Sequence, residues 1–298
     1  MKLSCKLVVG LLIIGVPGAI CAQELTGTLK KIKDTGAITI GHREAAIPFS
    51  YLDDKQQPIG YAMDLCAKVV DAIEAELKVP KLKINLQVVT PSNRTSLLQS
   101  VAIDIECGST TNTVARQQEV AFGPTYFVTN VTAAVKKTSG VNSLADLGGK
   151  TISTTSGSPV DALLNDYERA KNVKFTRIYG TDHPESFRLM TQDQASAFVM
   201  DDILLAGLIA SSTSPGDYMI IPASLRQEPY GMMLRKDDLQ FKALVDKTIG
   251  GVMKSGEIDE IYAKWFTSPI PPKGINLNLP QTAAIREAFN NPNDKGVQ

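Results

Sequence analysis

The chain has 298 residues, of which 43% are hydrophobic and 21% charged, so it can bury a sizeable core and is long enough for roughly two ordinary domains. Lysine plus arginine equals aspartate plus glutamate at 31 each, which leaves no net basic field to draw in nucleic acid.

The first stretch revises the balance. Met1 to Ala22 has a short basic start (Lys2, Lys6), an apolar core from Leu7 to Val16 and a small-residue end, Gly18-Ala19-Ile20-Cys21-Ala22. That is the pattern of a secretory signal, too short for a transmembrane anchor. Cleavage is placed after Ala22, which predicts residues 1–22 as a signal peptide. A lipid anchor on Cys21 is the alternative, set back by Ile20, which is bulky where a small residue is needed. Removing the segment leaves a net charge of about −2. Cys5 and Cys21 go with it, so Cys66 and Cys107 remain. An even pair in an oxidising compartment is expected as a disulfide, with two buried thiols as the alternative. No third ligand accompanies them to suggest a metal.

After the signal, Thr28 to Asp34 is predicted as a short helix stopped near Gly36, and Ala37 to Gly41 alternates as a strand. A charged cluster, His42-Arg43-Glu44, closes that strand, where open α/β sheets place ligands. A helix from about Asp64 carries Cys66, Val69, Val70, Ile73 and Leu77 at helical spacing and ends at Pro80. Lys83 to Val89 is a second strand, and Thr90 to Arg94 opens another helix with Ser92 as its cap.

Ile103 to Arg116 follows. Ile103, Ile105 and Cys107 alternate as a strand, Gly108 breaks it, and Ser109-Thr110-Thr111-Asn112 leads to Arg116 as the start of a helix. Short hydroxyls and outward backbone N–H groups make an anion site, and arginine offers a bidentate fork for a carboxylate. A plain helix cap beside a solvated arginine is the competing interpretation.

A long β-prone run, Tyr126 to Val135, introduces a second series. Thr151 to Thr155, Lys174 to Tyr179, Ala197 to Met200 and Tyr218 to Ile221 are predicted strands. Helices are predicted from Ser158-Pro159 to about Arg169, over Pro184 to Gln192 and over Ile203 to Ser211. The chain returns at Gln227 to Gly231. Asp238 caps a helix to about Ser255, Glu257 to Phe266 is another, and a tail rich in proline and asparagine is expected to lie along the surface. Strand–helix alternation with short joints predicts an α/β fold of two βαβ lobes with parallel sheets.

The residues as a whole resemble the periplasmic solute-binding proteins of amino-acid importers, the glutamate/aspartate-binding branch in particular. The matching phrases are Gly41-His42-Arg43-Glu44, Pro48-Phe49-Ser50-Tyr51, Asn93-Arg94, Glu106-Cys107-Gly108-Ser109-Thr110-Thr111-Asn112, Met200-Asp201-Asp202, Tyr230-Gly231 and Lys264-Trp265-Phe266. The resemblance implies a periplasmic-binding-protein type II fold. Lobe one would be 23–131 plus 227–298 and lobe two 132–226, joined by a two-crossing hinge. It implies a monomer that closes on glutamate or aspartate in the periplasm and hands it to an ABC permease in the inner membrane, with no cofactor and no catalytic residue.

The resemblance also assigns roles. Arg116, Ser109 and Thr111 would take the ligand α-carboxylate and Asp201 the α-ammonium. Arg43, Arg94 and His183 would receive the side-chain carboxylate, with Ser158 contributing from lobe two. Two positions depart from the family: Pro91 replaces a hydroxyl residue three before Arg94, and Ser158-Pro159 stands for two threonines. Pro159 can donate from neither side chain nor nitrogen.

Charge counting supports the acidic ligand, since closing lobes over Arg43, Arg94, Arg116 and a charged His183 without a second carboxylate would be costly. The alternatives are another amino acid or a dicarboxylate, or a dehydratase-like enzyme using His183 with Asp201. No nucleophile elbow, metal-ligand spacing or P-loop accompanies that pair.

Overall fold

The computed structural model describes residues 24–298, so the expected signal segment with Cys5 and Cys21 lies outside the described residues. Helix α1 (Gly27–Thr35) buries Leu29 and Ile32 and stops at Gly36, whose φ of 66° is the left-handed turn that ends helices. Strand β1 (Ala37–His42) follows. Then comes a small antiparallel sheet, β2 (Ala45–Ala46), β3 (Ser50–Leu52) and β4 (Pro58–Ile59), too short to show as a pattern in sequence.

Helix α2 (Tyr61–Leu77) begins three residues earlier than Asp64. Gly60, with φ 138°, permits this, because a Cβ there would lie 2.2 Å from the Phe49 carbonyl oxygen. Next come β5 (Lys83–Val88), α3 (Arg94–Gln99), β6 (Ile105–Glu106) and β7 (Val120–Phe122).

The long β8 (Phe127–Lys136) carries the chain into the second lobe. There it forms β9 (Thr151–Thr155), α4 (Val160–Lys171), β10 (Thr176–Gly180), α5 (His183–Thr191), β11 (Ala197–Asp201), α6 (Asp202–Ser211) and β12 (Tyr218–Ile220). Strand β13 (Arg226–Tyr230) returns to the first lobe. It is followed by β14 (Met233–Arg235), α7 (Leu239–Lys254), α8 (Glu257–Tyr262) and α9 (Ala283–Asn290).

The first sheet runs β5-β1-β6-β14-β7 and the second β10-β9-β11-β8-β12, with β13 paired to β8. Strands β1, β5 and β6 are parallel, as are β9, β10 and β11. The purely parallel expectation is corrected by β14, β7, β8 and β12, which join antiparallel where the chain doubles back. Crossover helices produce parallel neighbours, whereas a direct return does not.

Three further expectations change. Ser92 does not cap α3, whose preceding residue is Asn93; the Ser92 hydroxyl donates to the Ser156 carbonyl of the other lobe at 3.0 Å. No helix follows the hydroxyl cluster, only one tight turn at Arg116–Gln118. The tail is not mere surface packing, for α9 buries Ile285 and Phe289 and Val297 bridges to Thr113.

Cys66 in α2 and Cys107 beyond β6 form a disulfide with Cα atoms 6.1 Å apart, across 41 residues of sequence. Closing a loop of that size constrains the unfolded chain by about 4 kcal/mol. Intact mass after alkylation without reductant should show no modified thiol, and reduction should cost about 2–4 kcal/mol in denaturant unfolding. Two alkylated cysteines would contradict the bond.

The lobes meet at Gly157, whose φ is 79° and whose added Cβ would lie 2.6 Å from the Ser92 Cα. On α6, Gly207 is likewise within 2.7 Å of the Ile47 carbonyl oxygen for an added Cβ. Gly157→Ala should therefore hold the lobes apart. Small-angle scattering under conditions that close the wild type should give a larger radius of gyration, with about 1–2 kcal/mol of stability lost to the strained φ. An unchanged radius would mean that the seam yields.

Candidate ligand-binding site

The lobe-one wall begins with Arg43, just past β1 and fully buried. Its backbone N–H donates to Ser50 Oγ at 2.9 Å, and one guanidinium nitrogen, Nη2, pairs with Asp182 across the cleft. Its Nε and Nη1 are buried with no hydrogen-bond partner. Arg94 opens α3, also buried, with Nη1 on the Thr110 hydroxyl and 3.8 Å from Glu106. Thr110 in turn donates to Glu106 at 2.6 Å, and Arg94 Nε has no partner. Burial and the neighbouring Arg116 charge push Arg94 down to about 9.

Between them runs the loop from Gly108 to Arg116. Its backbone is secured by the return and the tail: Asn112 N–H donates to the Pro229 carbonyl at 2.8 Å, and Val114 N–H to that of Val297 at 2.8 Å. The Asn112 amide donates to the Asp294 carbonyl at 2.9 Å. A proline–asparagine tail so remote in sequence gives no sign that it clamps this loop. Ser109 Oγ is buried without a partner, whereas the Thr111 hydroxyl donates to the buried Glu228. Its proton is thereby committed, and Thr111 is not a free hydroxyl donor in this arrangement. Arg116 donates to the Thr111 carbonyl and, across the cleft, to that of Gly157, each at 2.9 Å.

Lobe two supplies the opposite wall from strand ends and helix starts. Ser158 Oγ, between β9 and α4, is a further buried hydroxyl without a partner. His183 is the first residue of α5 and its Nδ1 lies 3.0 Å from Thr155 Oγ1. Burial, then the Arg43 charge, drive its pKa down to about 3, so it is a neutral imidazole. Asp201 ends β11, is buried, and accepts from the Tyr230 hydroxyl. Burial and the nearby Glu228 carboxylate raise its pKa well above the ordinary range, against the Tyr230 bond. A cation placed beside it would restore its charge. Asp202 belongs to the frame, with Thr129 Oγ1 at 2.6 Å and Asn130 Nδ2 at 3.0 Å from its carboxylate.

This arrangement corrects the charge count made from sequence. His183 is neutral, and Arg43 and Arg94 already face Asp182 and Glu106. Both acids went unnoticed, although Glu106 lies inside the hydroxyl-loop phrase and Asp182 next to His183. Glu228 is likewise matched, by Arg226 at 2.6 Å. Among the described residues Arg116 and Asp201 have no ionic partner within 4 Å; Asp202 lacks one too, but its carboxylate is taken up by Thr129 and Asn130. An unmatched guanidinium on one lobe, and on the other a carboxyl that an ammonium would ionise, suit a zwitterion. The orphaned nitrogens of Arg43 and Arg94 are donors only and outnumber the one orphaned carboxylate oxygen there, Glu106 Oε1, while the Ser109 and Ser158 hydroxyls can add donors, a set that suits an acceptor-only group.

Comparison with known proteins follows the same line. Residues 38–268 match the model of the bacterial extracellular solute-binding proteins, family 3. The L-glutamate/L-aspartate-binding protein of Pseudomonas aeruginosa is 45% identical, over 94% of this chain and 93% of its own length. The glutamate/aspartate import solute-binding protein of Escherichia coli is 42% identical, over 93% and 91%. Among solved structures, a cysteine-binding protein from Campylobacter jejuni superposes with TM-score 0.69 at 24% identity, covering 80% of this chain and 93% of that one. At that identity it speaks for the fold alone. Shared architecture and extensive identity together place the chain in the bacterial extracellular solute-binding proteins, family 3.

Proposed function

We infer that this protein is a periplasmic solute-binding protein that captures an acidic L-amino acid, glutamate or aspartate, and delivers it to an ABC permease. The observation that carries the reading is the charge pattern: Arg116 and Asp201 stand without ionic partners while Arg43, Arg94 and Glu228 are each matched by a residue of the protein. Arg116, with Ser109 and the Thr111 backbone, takes the α-carboxylate; Asp201 takes the α-ammonium. Arg43 Nε and Nη1 with Arg94 Nε receive the side-chain carboxylate, beside neutral His183 and the Ser158 hydroxyl. An amide side chain would bring two donors of its own to this donor-rich end and leave some unsatisfied, a loss of about 1–3 kcal/mol. The names of the Pseudomonas and Escherichia relatives support the same ligand class.

The lobes divide at 131/132 and 226/227, which is the paired Val131 and Arg226 of β8 and β13. The signal is removed near Ala22, and the protein works as a monomer. Binding occurs without turnover: the Pseudomonas relative is named a binding protein and the Escherichia one an import solute-binding protein, and Asp201 serves as a counter-ion rather than as half of a His183 acid–base pair. Calorimetric titration with all amino acids and with four- and five-carbon dicarboxylates tests the reading, with the ligand recovered unchanged afterwards. If the amides bound more tightly than the acids, the acidic-ligand reading would fall.

Two variants separate the roles. Arg116→Ala should weaken every amino acid by about 2–5 kcal/mol, because it removes the partner of the group they share. Arg43→Gln should instead lower mainly the preference for acidic over amide side chains. Equal losses for acid and amide in Arg43→Gln, with Arg116→Ala unaffected, would reverse the assignment.

Asp201→Asn should weaken amino acids by a similar amount and spare glutarate or succinate, which carry no ammonium. Parallel losses for both ligand types in the same titrations would remove Asp201 from the ammonium role.

A further inference from the structure

We propose that Asp182 is a specificity-determining residue: a resident carboxylate on lobe two that occupies one edge of Arg43 and thereby relaxes the site's discrimination against uncharged side chains. This rests on the acidic-amino-acid reading above and deepens it.

Asp182 caps α5, with its Oδ1 accepting from the His183 N–H at 2.7 Å. The same oxygen pairs with Nη2 of Arg43, which is wholly buried, whereas the Asp182 side chain keeps 25% of its surface. The pair crosses the cleft. Arg43 comes from the end of β1 in one lobe, and its Cγ lies 3.0 Å from where a Cβ on Gly108 would be. Asp182 comes from the start of a helix in the other. Arg43 retains Nε and Nη1, both buried and without partners, for a ligand.

An unmatched buried guanidinium would admit only a side chain bearing a negative charge, since closing on a neutral one would strand the cation. Asp182 supplies that charge from within the protein. Arg43 then asks the ligand for hydrogen-bond acceptors more than for charge, a weaker filter between carboxylate and amide. The carboxylate also lies beside the end of the cleft that receives the ligand's own carboxylate, so it repels the acid and leaves the amide unaffected. Both effects act in the same direction.

Asp182→Asn tests this with little disturbance, because asparagine caps helices as well as aspartate does and keeps the oxygen that accepts from His183. Asp182→Ser, which also caps, guards against an effect peculiar to the amide. Titration of the intact mature wild type and both variants with glutamate and glutamine gives the ratio of the two affinities. That ratio should rise roughly tenfold in both variants, the order expected of a partly exposed charge a few ångströms away. Raising the salt concentration in the wild type should move the ratio only slightly, since the pair is shielded.

A ratio unchanged or lowered in the variants, with wild-type glutamate binding intact, would overturn the proposal and leave Asp182 as a helix cap alone. Wild type that binds neither acid would instead bring down the ligand reading, and this inference with it.

Discussion

The antiparallel pairing of β8 with β13 is the constraint on which the rest of this molecule depends. It runs from Phe127–Tyr230 to Val131–Arg226, and the chain passes between lobes along it in both directions. At its lobe-one end, Phe127 and Tyr230 sit in an aromatic cluster with Phe49, at 4.9 and 5.1 Å between ring centroids, and Phe127 stacks on Phe266 at 4.9 Å. At the other end Val131 and Thr132 pair with Asp201 and Met200 of β11. The ladder therefore holds Asp201 at a set distance from Tyr230, whose hydroxyl it accepts. A two-stranded ribbon anchored at both ends can twist at its middle without breaking its bonds, which is what hinge closure requires.

Closure over this cleft is a problem of buried charge. Arginines buried as Arg43 and Arg94 are would be prohibitive alone, and the protein meets the cost with acids of its own, Asp182 and Glu106. What it leaves without an ionic partner is one guanidinium, Arg116, and one carboxyl, Asp201, the complements of the two charges every free amino acid carries. In the proposed assignment, selectivity among side chains then passes to hydrogen-bond donors at the Arg43–Arg94 end. Neutral His183 fits this economy, because a third cation there would have had no acid to face.

The site loop owes its shape to distant chain. The Gly108–Arg116 segment has no regular structure beyond a single turn, and its carbonyls and N–H groups are claimed by Pro229, Gly231 and Val297. The tail thus works as a brace rather than a trailing end. Gly157 and Gly207, where the lobes touch, show the same economy: both are positions where a side chain would keep the walls from meeting.

Much of this was legible in the sequence by itself. Periodicity in Cys66–Leu77 and alternation in Ala37–Gly41 and Thr151–Thr155 are local signals, so helices and strands there follow from burying one face. Arg43 could be picked out because strand ends in α/β lobes collect ligand groups and Arg116 because it follows a hydroxyl loop, whereas Arg94, His183 and Asp201 were assigned by resemblance to the glutamate/aspartate-binding branch. Tertiary structure alone decided their state. Whether Arg43 is matched, His183 charged or Thr111 free to donate depends on Asp182, on burial and on Glu228, none adjacent in the way a motif reports. The same holds for Ser92, read as a cap and found reaching across to Ser156. Local pattern determines which face of an element is buried; pairing and desolvation are properties of what arrives from elsewhere in the chain, and only the folded structure settles them.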